Sequence, residues 1–163
     1  MKNRLFQLFK LLALFSLTAI VHAEELPLSS GQMLYLPIYS NVLHGDISSS
    51  KGKPMKSYLS ALISIRNTSL KTPIKIESAR YYNTEGKLLR DFITAPRNIA
   101  PMDTLELFIE KSEAEGGSGA KFLIRWGAEL ATTAPIVEAV HIDNQPGRPY
   151  SFITSAHAIH TDK

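Results

Sequence analysis

Apolar and polar positions alternate with a period of two through most of this chain. Leu59, Ala61, Ile63 and Ile65 interleave with Ser60, Leu62, Ser64 and Arg66, the pattern of a strand with one face on a core and the other mostly wet. The same signal recurs at Gln32 to Tyr39, Ile74 to Tyr82, Lys87 to Ile93, Thr104 to Glu110, Lys121 to Trp126, Ile136 to Ile142 and Tyr150 to Ser155. Turn formers separate the runs. Gly45 to Pro54 is polar, Asn83-Thr84-Glu85-Gly86 reads as a hairpin turn, Pro96 and Pro101 bracket another connection, and Gly116-Gly117-Ser118-Gly119 makes a further one. No segment of ten or more residues after the leader carries helical periodicity; Glu110 to Glu115 has room for one turn. Such spacing predicts an all-β, immunoglobulin-like antiparallel β-sandwich of about seven to eight strands, with a small barrel as the alternative. Pro37 marks the first strand as an edge, because a proline cannot donate to a central ladder. Trp126 shares a face with Phe122 and Ile124 and reads as a core anchor rather than a ligand-stacking ring.

The beginning of the chain follows a different rule. Lys2, Arg4 and Lys10 precede an apolar core from Leu11 to Val21, and Val21-His22-Ala23 puts small residues at the −3 and −1 positions. This is the form of a secretory signal at residues 1–23 cleaved after Ala23, leaving residues 24–163 as one domain. The uninterrupted apolar run is about half of the ~20 residues that span a bilayer, which disfavours an uncleaved anchor. The expected product is soluble, periplasmic or secreted, and without a stable membrane span.

Composition sharpens that reading. The chain has 163 residues and a formal charge of +3, but the surplus belongs to the three leader cations. Beyond them 15 Lys and Arg face 15 Asp and Glu, so charge gives no support for a nucleic-acid partner. With no cysteine, disulfides, thiol catalysis, Cys-containing zinc sites and lipid attachment at a cleaved Cys are excluded.

Candidate chemistry is sparse. Gly116-Gly117-Ser118-Gly119-Ala120 nearly matches a nucleophile elbow, and Asp143 and His157 follow in the right order. An elbow needs a strand meeting a helix, whereas Lys121 to Trp126 reads as a strand. Glycines in succession suit an anion cradle, but the P-loop ending is missing and Glu113 and Glu115 would repel phosphate; a connection or glycine bulge is the simpler reading. Glu106 and Glu110 lie ~13 Å apart along a strand, beyond the roughly 5 to 9.5 Å of paired glycosidase carboxylates. They read as a solvated face. His44, Asp46 and His141, with His157, are the residues from which a metal or small-molecule site would be built, although His157 and His160 fall in what reads as a mobile tail. Met33, Met55 and Met102 are scattered and suit core filling as well as copper. Asn67-Thr68-Ser69 matches a glycosylation acceptor but reads first as a strand end and turn. Tyr81 and Tyr82 point to opposite faces, so at least one is expected outside.

The motifs Leu36-Pro37-Ile38-Tyr39-Ser40, His44-Gly45-Asp46, Ser64-Ile65-Arg66-Asn67-Thr68-Ser69, Pro73-Ile74 and Tyr81-Tyr82 before Glu85-Gly86-Lys87 form a recognisable series. Gly116 to Ala120, Phe122, Trp126, Glu138-Ala139-Val140 and Ser151-Phe152 continue it. Together they resemble an uncharacterised family of exported bacterial proteins labelled domain of unknown function 3124. One departure stands at the end, where Phe152-Ile153-Thr154-Ser155-Ala156-His157 replaces a Phe-Thr-Ser-Arg-Gly-like close. The resemblance implies a bacterial source, an envelope location and a single domain; it implies no activity. With no cofactor or catalytic set called for, the expected role is a non-catalytic module for an envelope protein or envelope component, the alternative being a periplasmic metal- or small-molecule-binding protein. Tyr39, His44, Asp46, Tyr81 and Ser118 are the expected surface, with the Gln32 to Tyr39 strand as the edge on which a partner would dock.

Overall fold

The computed structural model describes residues 27–47 and 52–160. The leader and the cleavage expected after Ala23 lie outside the described residues. The remainder is built of antiparallel strands without a helix among the described residues. In chain order they are β1 (Ser29–Ile38), β2 (Asn41–His44), β3 (Met55–Tyr58), β4 (Ser60–Arg66), β5 (Ile74–Tyr82), β6 (Leu88–Asp91), β7 (Arg97–Ile99), β8 (Thr104–Ile109), β9 (Ala120–Thr132), β10 (Ile136–Asp143), β11 (Tyr150–Ser155) and β12 (His157–Ile159). The eight runs of alternation all become strands. The other four strands, β2, β3, β7 and β12, are only three or four residues long, too short for a period of two to stand out.

Two sheets stack into a β-sandwich. One has the order β12-β1-β9-β5-β6, with β7 also pairing β5; the other has the order β11-β10-β4-β8. A separate hairpin, β2 with β3, carries the chain between them. The inward side chains follow from the alternation: Leu34, Leu36 and Ile38 on β1, Phe122, Ile124 and Trp126 on β9, Ala61, Ile63 and Ile65 on β4, Leu105, Leu107 and Ile109 on β8, Val137 and Ala139 on β10. Removing that apolar surface from water is what holds a chain without disulfides together. Trp126 is 1% exposed and is a core anchor.

Two irregularities shape the larger sheet. On β5 the register against β9 slips between Ile76 and Ser78, leaving Glu77 unpaired. This β-bulge changes the inward parity from Ile74 and Ile76 to Ala79 and Tyr81. Where β1 meets β9, Gly31 stands opposite Gly127, and a Cβ on Gly31 would lie 2.8 Å from the Trp126 carbonyl oxygen. Only glycine permits that approach.

The structure corrects two expectations. First, β1 is not an edge: β9 pairs with it along Ser29–Ile38, and β12 covers its other side at Met33, Leu34 and Tyr35. Pro37 is tolerated because its carbonyl turns away from β9 to accept a 2.7 Å hydrogen bond from Thr154 Oγ1. In a strand a residue's nitrogen and carbonyl point the same way, so the ladder to β9 loses no donor there. Second, the C-terminal segment carrying His157 is a strand rather than a mobile tail, with His157 opposite Tyr35 and Ile159 opposite Met33.

Candidate functional site

The sandwich is closed on one side. β11 lies on β10 in one sheet, and after Ala156 the chain steps across to lie on β1 in the other as β12. Ala156 N–H donates to the Val137 carbonyl as it crosses. His141 occupies this closed side. It is fully buried on β10, its ring stacks on Phe152 at 4.6 Å, and Nε2 accepts a 3.1 Å hydrogen bond from the Tyr39 backbone N–H. Burial lowers its basicity from the ordinary 6.5 to about 4, with the Ala139 and Phe152 backbone acting in the opposite sense. The ring is therefore neutral at pH 7, an acceptor for Tyr39. Tyr39, expected on a binding surface, is half-buried, with its ring edge-on to both His141 and Phe152. Two residues along β10, the buried Asp143 carboxylate takes the Lys111 ammonium.

The other side is open. β6 ends one sheet and β8 ends the other, and no described strand pairs with the outer side of either. Between them runs a groove of about 600 Å³ lined by Tyr81, Leu89, Arg90 and Phe92 from the β5–β6 side and by Phe108 to Glu110, Ser112 and Glu113 to Glu115 from the other. Arg90 lies over the Phe92 ring at 4.2 Å. Three carboxylates, Glu110, Glu113 and Glu115, face that single guanidinium in the lining.

A hydrogen-bonded knot fixes the wall of this groove. Glu113 Oε2 accepts from Tyr81 Oη at 2.6 Å and from Ser40 Oγ at 2.9 Å, and the two hydroxyl oxygens are themselves 2.7 Å apart. Its other oxygen accepts from the backbone N–H groups of Glu115 and Gly116. Burial first, then the Glu113 carboxylate, raises the Tyr81 phenol well above its usual range, so it stays a donor. A Cβ on Gly116 would stand 1.9 Å from Tyr81 Oη and 2.4 Å from Ser40 Oγ. The neighbouring Gly117 adopts φ of +78°, and its carbonyl accepts from Ser40 N–H. Thr84 closes the loop, donating through N–H and Oγ1 to Gly116 O and accepting from Gly119 N–H.

The expected surface residues thus divide among three places. Tyr81 belongs to the interior, at 1% exposed, rather than to the surface, and its hydroxyl is held by Glu113 and Ser40 at the wall of the groove. Ser118 is exposed in the loop above the knot. His44 and Asp46 sit apart, at the tip of the β2–β3 hairpin, where His44 Nε2 and Ser57 Oγ are 3.0 Å apart. Among the described residues no group of three or more His, Asp or Glu side chains is placed to hold a metal ion. The glycine loop is no anion cradle, since Glu113 and Thr84 already take the N–H groups of Glu115, Gly116 and Gly119. Asn67 is buried, and its amide donates to the carbonyls of Thr72, Ile99 and Ala100, which makes it a structural hub rather than a surface acceptor.

What these features define is a small antiparallel β-sandwich, sealed along one side and open along the other. The chain belongs to the family described as Protein of unknown function (DUF3124), whose profile matches residues 31–159. A solved structure of Thermotoga maritima 1070 aligns at 12% identity over 77% of this chain and 92% of its own, with a TM-score of 0.43. No curated protein matches.

Proposed function

We propose that this protein is a non-catalytic binding module of the bacterial envelope, exported after cleavage at Ala23, and that it takes its partner along the open seam between β6 and β8. The carrying observation is the asymmetry of the sandwich: β11 and β12 seal one side, while both sheets end at the groove on the other. Sheet edges with unused backbone donors and acceptors are ready-made docking strips, and proteins that do not use them usually cover them. The docking strand is accordingly β8 rather than β1. Export is supported by the leader alone.

Photo-crosslinking in the native host tests the reading. A crosslinker at Glu106 or Leu88, beside the seam, is expected to trap an envelope component, while one at Lys75, the second residue of β5, traps none. Equal labelling at all three positions, or labelling at Lys75 only, overturns it. The denatured mass of the same preparation is expected to equal the 140-residue chain beginning at Glu24.

A further inference from the structure

We infer that the occupant of the open seam is an extended peptide strand that adds antiparallel to β8, with an apolar side chain opposite Phe108 and a basic one opposite Glu106. The inference rests on the seam being the docking site and names what fits there. Its first support is a row of side chains on the outer face of the smaller sheet. Ile153 stands opposite Val140, Val140 opposite Leu62, and Leu62 opposite Phe108. The row crosses every strand of the sheet and stops at the open edge, where Phe108 is 52% exposed. A strand laid beyond β8 continues the row, and directly opposed apolar pairs are the unit that stabilises a sheet.

The adjacent row sets the charge. Ser155, Glu138, Ser64 and Glu106 stand opposite one another in turn. Glu138 is paired with Arg66 at 2.7 Å. Glu106 is exposed, with no hydrogen bond or ion pair among the described residues. Glu110 lies four residues beyond Glu106 and two beyond Phe108, just past the end of β8, where its carboxylate accepts a hydrogen bond from Ser112 Oγ and is otherwise open to a cation. A partner strand that places cations at these two positions gains cross-strand pairing, and one that places anions there is repelled. The partner residue between the apolar and basic positions turns inward beside Leu107 and enters the groove lined by Tyr81, Leu89 and Phe92. Along the partner the pattern is basic, any, apolar, apolar, basic. The carboxylates choose the occupant; the unpaired edge and the interrupted apolar row make the site.

A second copy of this chain fits less well. Thr104 to Glu110 contains no cation, so β8 on β8 leaves Glu106 without a partner. β6 of a second copy carries Leu88-Leu89-Arg90, but its register slips at Tyr81/Tyr82 and sets Arg90 opposite the inward-facing Tyr81. The cation is thereby turned from the face that Glu106 occupies.

The probe is a dye-labelled peptide, Lys-Val-Ile-Leu-Lys-Thr-Thr, titrated by fluorescence anisotropy against the purified exported protein. Binding is expected, with slowed amide exchange confined to Thr104 to Ile109. Replacing both lysines of the probe by glutamate is expected to weaken binding roughly fivefold or more, and Glu106→Lys in the protein to weaken the lysine probe while tightening the glutamate probe. Glu106 is exposed, so this variant keeps its fold, and the reciprocal preference separates pairing from lost stability. Equal affinity of the two probes, protection elsewhere, or a dimer through β8 that Glu106→Lys leaves intact would each overturn the inference. Seam crosslinks in cells with no binding of the probe overturn the strand chemistry alone, whereas loss of the crosslinks removes the seam reading beneath it.

Discussion

His141 shows how one buried side chain ties stability to acidity. Its folded value of about 4 lies below the 6.5 of an unfolded chain, so between these two pH values the unfolded state binds the proton more readily. The stabilisation is complete above pH 6.5 and is lost as pH falls through that window, reaching about 3 kcal/mol near pH 4. Urea titrations at pH 7 and pH 4.5 should show this loss in the parent protein and a smaller one in His141→Gln, which keeps an acceptor for Tyr39 and carries no titrating group. An equal pH slope in both would assign the acid sensitivity to other groups. Met102 supplies a change of opposite sign. It is the one non-glycine residue with positive φ among the described residues, at 62°, in a turn where Asp103 N–H reaches the Ala100 carbonyl. Its side chain is 65% exposed and contributes little packing. Asparagine tolerates this conformation better, so Met102→Asn should raise stability by about 0.5 to 1 kcal/mol, read as an increase in the thermal midpoint.

At the level of strands, legibility depended on length. β4, β8 and β10 carry six or more residues of alternation, and their inward residues could be read directly. β12 could not, because three residues carry no period and its place is set by the strand it meets. Pro37 misled for a related reason: a proline shows that one donor is missing, but not on which side of the strand the missing donor falls. The β5 bulge did leave a trace, since the apolar positions run Ile74, Ile76 and then Ala79, Tyr81. That change of parity decides that Tyr81 rather than Tyr82 meets Glu113. Deleting Glu77 should therefore only remove the bulge, leaving Ile74, Ile76, Ala79 and Tyr81 on one inward face with cooperative unfolding retained, whereas an alanine inserted between Ser78 and Ala79 should turn Ala79 and Tyr81 to solvent and abolish cooperative unfolding, both measured by denaturant titration. The knot was partly legible, because Tyr39-Ser40, Tyr81-Tyr82 and Gly116 to Ala120 stood out as motifs, yet nothing in their spacing showed that they meet. Gly116→Ala should cost about 2 to 3 kcal/mol, since its Cβ displaces two hydroxyls from Glu113. In the Tyr81→Phe background the same change should cost less, and strict additivity would show that the two residues do not share the contact.

Across the whole molecule, the sealed and open sides should differ in how readily they exchange with solvent. The paired amides of β1 and β9 lie within a sheet flanked on both sides, whereas β6 and β8 are held by one neighbour each. Hydrogen exchange is expected to be slowest in β9 and β4 and faster by at least tenfold in β6, because edge strands open without disrupting the rest. Uniform protection across these strands would mean that something covers the open edge in solution.

The crossing from β11 to β12 also sets an order in time. β1, among the first residues described, waits for β9 on one side and for β12, more than a hundred residues later, on the other. Contacts this distant along the chain make folding slow, on the order of milliseconds to seconds. A chain still lacking Tyr150 to Ile159 leaves His141 without Phe152 and β1 without its outer neighbour. The sealed side therefore cannot close until its last strands have been delivered, and late closure would keep the chain threadable during the export proposed above.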